Sequence, residues 1–204
     1  MFWLCPPVAL PPLVLASASP RRRELLERVG LSFQVAHADL DEEPRPGEGP
    51  AALVERLALE KGAAVARTVD EGVVLSADTV VVLDGRLLNK PRDAAEACRM
   101  LAGLAGRWHT VYTGFALQGR GRWETRPPLV GHETTRVAFH PLAPEQIEAY
   151  VATGEPLDKA GAYGIQDGGA LLVRALEGDY FNVMGLPVAR VGRELAAWPL
   201  PAFA

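Results

Sequence analysis

The sequence predicts an α/β protein built on a mixed sheet. Three observations carry that expectation. Leu13-Val14-Leu15-Ala16 is a short apolar run that passes through a Ser-rich turn into a helical pattern opened by Pro20. Val73 to Leu83 is the most strand-like segment, with apolar runs on both sides of one Asp-Thr pair, which suits a well-buried central strand. Thr134 to Phe139 is Thr-rich and β-branched, which supports antiparallel or mixed pairing.

The chain has 204 residues, enough for one good core or two lobes sharing it. Hydrophobic residues make up 49% and charged residues 23%, ordinary values for a globular protein. Lys and Arg number 21 against 25 Asp and Glu, a formal charge of -4, which argues against broad nucleic-acid binding. Cys5 and Cys98 lie far apart and match no metal spacing, so a reducing compartment is the simplest context. Cys98 reads as a small core residue. Met1 to Pro12 is apolar but holds four prolines and no basic residue, which makes a poor signal peptide. No apolar run approaches membrane-spanning length. The expectation is a cytoplasmic protein.

Taken in order, the first helix runs from about Pro20 to Val29, with Ser19 as N-cap and Gly30 as stop. Ser17, Ser19, Arg21 and Arg22 sit where orphan helix N–H groups attract anions. This turn is either a phosphate cradle or a capped surface helix with a solvated Arg run. It is not a Walker A loop, since both the glycine spacing and the GK[ST] ending are missing. Ser32 to Ala36 is expected to be a short strand. Asp39 to Gly47 is an acidic, Pro-rich loop, either solvated or a carboxylate lip for a divalent cation.

Pro50 opens a long helix to about Arg67, in which Leu53, Leu57 and Lys61 recur at spacing four. Lys61 either snorkels or reaches a phosphate from a cleft. Asp78, inside the Val73–Leu83 run, is costly unless it is paired, hydrogen-bonded or metal-bound. Asp84-Gly85 signals a hairpin that returns through Arg86-Leu87-Leu88 to Asn89-Lys90-Pro91. Asp93 and Glu96 suggest a capping box on a helix carrying Ala97, Leu101 and Leu104.

Arg107 to Leu117 is expected to be a strand, turned at Gly119-Arg120-Gly121 into another near Trp123. Pro144 starts a helix through Val151. Asp158 to Gly169 is a Gly-rich loop suited to close approach to a ligand ring. Ala170 to Val173 reads as a strand and Gly178 to Gly185 as a turn. Pro187 opens a last helix packed through Val188, Val191 and Leu195, and the tail frays from Pro199.

Several cations with two or more carboxylates are what hydrolysis of a polyphosphate ester needs. Magnesium fits better than zinc, because His37, His109, His132 and His140 form no metal-ligand spacing. The serines lack a G-x-S-x-G elbow, so serine nucleophilic chemistry is weakly supported.

These residues carry a family resemblance. The chain resembles the Maf family of nucleoside triphosphate pyrophosphatases in Leu15 to Arg22, Glu60-Lys61, Ser76 to Val81, Asn89-Lys90-Pro91, Asp158 to Gln166 and Gly178 to Pro187, in family order. The resemblance implies a single Maf-like domain over 1–204 with 1–12 as an extension. It implies an elongated mixed sheet with flanking helices, two lobes around a central cleft, a homodimer, and likeness to the inosine triphosphate pyrophosphatases. It implies cleavage between the α and β phosphates, giving a nucleoside monophosphate and pyrophosphate, with Mg²⁺ or Mn²⁺ as cofactor.

Carried over by residue, Asp78 becomes the proton acceptor or water aligner, and Arg22, Lys61 and Lys90 become phosphate clamps. Glu42 joins Asp78 in binding metal, with Asp41 and Glu43 as alternative registers. The Lys159–Tyr163 and Ile165-Gln166 stretches match the branch that prefers dTTP and UTP, where the positions of Arg21, Thr79 and Gln166 set substrate choice. The alternatives are the 7-methyl-GTP branch and a non-catalytic nucleotide-binding regulator of cell division. Asn89, Gly62 and Asp167 depart from the family pattern of Gly, Ala and Gly.

Overall fold

The computed structural model describes residues 10–38 and 40–198. Cys5, most of the 1–12 extension, Asp39 and the tail from Pro199 lie outside them. In chain order the elements are β1 (Leu13–Ala16), α1 (Pro20–Arg28), β2 (Gln34–Ala36), α2 (Pro50–Ala66), β3 (Gly72–Leu83), β4 (Arg86–Leu88), α3 (Ala94–Leu104), β5 (Trp108–Arg120), β6 (Leu129–Phe139), α4 (Pro144–Ala152), β7 (Val173–Glu177), α5 (Tyr180–Met184) and α6 (Val188–Ala196).

The strands form one mixed sheet ordered β2-β1-β3-β5-β6-β7, with β4 paired to β3. β1 runs parallel to both β2 and β3, pairing Val14 with Gln34 and with Val74. β3 with β4, and β6 with β7, are antiparallel. The β3–β4 hairpin turns at Asp84-Gly85, both at positive φ (50° and 77°), the conformation that a two-residue hairpin turn requires.

The chain divides into two compact units, neither contiguous in sequence. The first comprises residues 1–78, 113–132 and 185–204, and the second 79–112 and 133–184. In the first, the core is built from β1, the start of β3 and the apolar stripe of α2. Leu15, Val54, Ala58 and Leu75 are wholly buried there. In the second, Ala97, Leu101 and Leu104 of α3 are wholly buried, as their helical spacing predicts.

Several sequence expectations need correction. No strand forms at Trp123: β5 runs on through Gly119 and Arg120, and a 3-10 turn spans Gly121–Trp123. Gly119 serves close packing, since a Cβ there would lie 1.9 Å from the Trp123 carbonyl oxygen, and the reversal falls on Gly121 at φ +59°. β6 accordingly starts at Leu129, five residues before the Thr-rich stretch.

Asp167–Leu172 is a 3-10 segment, and β7 begins only at Val173. Gly178–Gly185 contains α5, because the Asp179 carboxylate accepts from the Phe181 N–H at 2.8 Å and starts a helical turn. The Asp93 cap forms, accepting from Glu96 N–H at 2.7 Å. Glu96 does not complete the box: its carboxylate takes the Arg92 N–H and Nε, each at 2.8 Å. Cys98 is half-buried, outside the wholly buried core.

Candidate active site

In the first unit the turn between β1 and α1 is organised by Ser17, not by Ser19. Pro20 opens α1 as expected, but the Ser19 hydroxyl makes no capping bond. Ser17 Oγ instead accepts from the Ser19 N–H at 3.2 Å and from Arg22 Nη1 at 3.1 Å. Arg22 also donates through Nε to the Gly185 carbonyl at 2.8 Å. Arg22 is therefore buried and aimed, not part of a solvated Arg run. Burial pushes its guanidinium down from the usual arginine range, the Asp78 carboxylate pulls it back up, Arg21 lowers it and Glu42 raises it. The Ser-Arg turn and the central-strand carboxylate therefore share one electrostatic environment.

Asp78 is 7% exposed, in the middle of β3. Its burial is compensated by Lys61, whose Nζ lies 2.6 Å from Asp78 Oδ1. The same Nζ lies 2.6 Å from Glu42 Oε1. Lys61 reaches this point because the Leu53–Leu57–Lys61 register of α2 keeps its stem beside the buried stripe. Among the three acidic candidates of the loop, Glu42 is the one paired to Lys61. Asp41 turns its carboxylate back onto the Glu43 N–H at 3.1 Å.

Gly62, next to Lys61, has a packing reason. A Cβ there would meet Gln118 Nε2 at 2.3 Å and Ser76 Oγ at 2.6 Å. Those two groups donate to the Leu59 and Ala58 carbonyls of α2.

The two carboxylates that converge on the Lys61 ammonium offer the hard oxygen ligands that a divalent cation of the magnesium type takes. Such an ion takes one or two protein carboxylates and completes its shell with phosphate oxygens and water. Among the described residues there is no group of three or more His, Cys, Asp or Glu that would form a cage by itself. Asp78 and Glu42 are the residues that would hold the ion.

In the second unit Thr79 continues β3, and Lys90 is exposed just after β4. Asn89 precedes it, and its carbonyl accepts from the Gly161 N–H at 3.2 Å, joining the hairpin to the Gly-rich loop. What holds that loop leaves no local pattern in the sequence. Tyr163 is buried, its hydroxyl 2.7 Å from His109 Nε2. Both rings stand edge-on to Phe139. Burial pushes the His109 imidazolium down to about 4, so the ring is neutral near pH 7, and burial drives the Tyr163 phenol up.

Tyr150 and Glu155 grip the rest of the loop. The Tyr150 hydroxyl accepts from Gly164 N–H at 3.1 Å and donates to Glu155 Oε1 at 2.8 Å. Glu155 in turn accepts from the N–H groups of Gly168 and Gly169 at 3.1 and 3.3 Å. Gln166 lies between these anchors. Its Oε1 is buried without a hydrogen-bond partner among the described residues. Asp167, beside it, adopts φ +59°, the left-handed conformation that glycine takes most easily. The only sequence cue to the His109–Tyr163 pair was Tyr163 inside the Gly-rich loop.

Fold and polar residues together define an α/β protein whose first unit carries a charge cluster suited to a polyanion and whose second unit carries a well-anchored Gly-rich loop. The "Maf-like protein" family profile matches residues 12–198, and the chain belongs to that family. It is 59% identical over 184 residues to a dTTP/UTP pyrophosphatase of Moorella thermoacetica, covering 90% of this chain and 93% of that one. It is 53% identical over 191 residues to a dTTP/UTP pyrophosphatase of Symbiobacterium thermophilum, covering 94% and 96%. Among solved structures it resembles a HAM1 protein from Coxiella burnetii, with TM-score 0.52 and 17% identity over 91% of this chain and 98% of that one, a likeness of fold. Among the described residues, no helix is long and apolar enough to cross a membrane.

Proposed function

We propose that this chain is a nucleoside triphosphate pyrophosphatase, hydrolysing dTTP and UTP to the nucleoside monophosphate and pyrophosphate. The observation that carries the reading is the Lys61 ammonium held at 2.6 Å by both Asp78 and Glu42, with Arg22 buried in the same field. A pure binder has little use for a buried carboxylate beside a phosphate site, because it repels the ligand unless a cation intervenes.

Asp78 aligns the attacking water and accepts its proton. Water adds across the α–β phosphoanhydride, that P–O bond breaks, and pyrophosphate departs with the bond's electrons. Arg22, Lys61 and Lys90 clamp the phosphates and offset the charge that grows on their oxygens. Ser17, Ser19 and Arg21 complete the phosphate cradle. A divalent cation, Mg²⁺ or Mn²⁺, supplies further charge neutralisation when held by Glu42 and Asp78.

Arg21, Thr79 and Gln166 set base choice. The buried Gln166 Oε1, without a hydrogen-bond partner among the described residues, supports this part. Thymine and uracil present a ring N–H at N3 that can satisfy it, and cytosine does not. The same reading makes the protein one domain, homodimeric and cytoplasmic, with no stable nucleic-acid partner, in keeping with its net charge of -4.

A substrate panel tests the function. With Mg²⁺ or Mn²⁺, dTTP and UTP yield monophosphate and pyrophosphate in equal amounts, and 7-methyl-GTP is a poor substrate. Release of inorganic phosphate, or nucleotide binding without turnover, contradicts the reading.

A further inference from the structure

The acidic loop that carries Glu42 has no helix or strand between Leu40 and Gly49, and Glu42 itself is 54% exposed. Arg45 of the loop pairs with Glu60 of α2 at 2.8 Å, and a further, less exposed arginine grips the loop at two points. Arg56 lies on α2, five residues before Lys61, with its side chain 14% exposed. Its Nε and Nη2 donate to the two carboxylate oxygens of Glu48 at 2.7 and 2.8 Å, a two-pronged pairing. Nη1 donates to Glu60 at 3.0 Å, and Nη2 also donates to the main-chain carbonyl of Glu43 at 3.1 Å. Glu48 in turn accepts the Arg45 main-chain N–H at 3.0 Å.

One guanidinium thus grips the loop at Glu43 and at Glu48. The first of these points is the residue next to Glu42. Lys61 and Arg56 hang from the same rigid helix, so the Glu42 carboxylate is delivered to Lys61 and Asp78 at a fixed height along α2.

We propose that Arg56 is a positioning residue for the proposed metal carboxylate Glu42, setting cation affinity through the loop without touching substrate. The proposal rests on the pyrophosphatase reading and deepens it. Arginine is required because four bonds leave one planar group in three directions. A lysine ammonium, a point charge on a flexible stem, spans only part of that set.

The test measures Mn²⁺ binding by electron paramagnetic resonance, with the non-hydrolysable α,β-imido analogue of dUTP present. Wild type is compared with Arg56→Lys and Arg56→Gln, each checked for folding by thermal melting. Both variants are expected to bind Mn²⁺ about 10- to 100-fold more weakly, the usual effect of losing an outer-shell partner. Their kcat for dTTP at saturating Mn²⁺ stays within about 3-fold of wild type, because the chemistry itself is untouched.

Unchanged Mn²⁺ affinity in a folded variant overturns the proposal, since a merely structural role lowers the melting temperature alone. If neither arginine variant folds, Glu48→Gln leaves Arg56 in place and is expected to weaken Mn²⁺ by about 10-fold, the low end of that range. Unchanged affinity there overturns the proposal equally. A wild-type protein that releases no pyrophosphate from dTTP sinks the pyrophosphatase reading, an outcome distinct from either affinity result.

Discussion

The two units build their polar clusters differently. The first gathers formal charges: Lys61 pairs with Asp78 and Glu42 at 2.6 Å, and Arg22 lies in the field of both carboxylates. The second anchors its Gly-rich loop mainly through the His109–Tyr163 pair, the Tyr150 hydroxyl and Glu155, and its buried Lys159 ammonium is tied off on the Glu155 carbonyl and the Asp158 carboxylate at 2.6 and 2.7 Å. Charge suits a triphosphate, whose burden grows in the transition state. Neutral, well-anchored amides suit a base, which is told apart by matched donors and acceptors. On the proposed roles most groups for turnover lie in the first unit and Thr79 and Gln166 in the second, with Lys90 and Arg21 the exceptions, so substitutions in the two sets are expected to break different things.

The largest effect is expected at Asp78. Asp78→Asn keeps the shape of the side chain but removes the proposed proton acceptor, and kcat for dTTP is expected to fall by about 10³-fold or more. A steady-state pyrophosphate assay checks this, with circular dichroism showing retained folding. Arg22→Lys follows. It keeps the positive charge but loses the planar group that reaches Ser17 Oγ and the Gly185 carbonyl together, and kcat/KM drops by about 10²-fold.

Gln166→Leu acts on selectivity. The preference for dTTP over dCTP, measured as a ratio of kcat/KM, shrinks by about 10- to 100-fold, while kcat for the better substrate changes far less. Equal losses on both bases would erase the distinction between the units.

His109→Phe is smaller still and appears as a pH effect on stability. The folded-state value of His109 lies near 4, below its ordinary 6.5, so the unfolded chain binds more protons between those limits. The stability contribution is whole above about pH 6.5 and is lost as pH falls toward 4, up to about 3 kcal/mol. Melting curves at pH 7 and pH 4.5 are expected to differ less in His109→Phe than in wild type.

Much of this was legible in the sequence, for identifiable reasons. α2 and the β3–β4 hairpin announce themselves through local pattern, a Leu-Leu-Lys stripe and an Asp-Gly turn, and both form close to where expected. Asp78 stood out because a carboxylate inside an apolar strand demands compensation, and Lys61 supplies it.

What stayed hidden depends on contacts between distant residues. Ser17 displaces Ser19 because Arg22 is drawn toward Gly185, 163 positions away. Glu96 abandons its box for a neighbouring arginine. The Arg56 grip on the acidic loop reads in sequence as an ordinary charged helix face, since only the fold brings Glu43, Glu48 and Glu60 around one guanidinium. The strand expected near Trp123 failed because Gly119 is used for close approach to a backbone carbonyl, which no local pattern reveals.

Phosphorus magnetic resonance of dTTP incubated with the wild-type protein and Mg²⁺ shows which phosphoanhydride is cut. The three triphosphate resonances should decay into two, those of dTMP and pyrophosphate, in step and without an intermediate. Resonances of dTDP and inorganic phosphate would mean that the terminal bond is the one cut, and the account would be wrong.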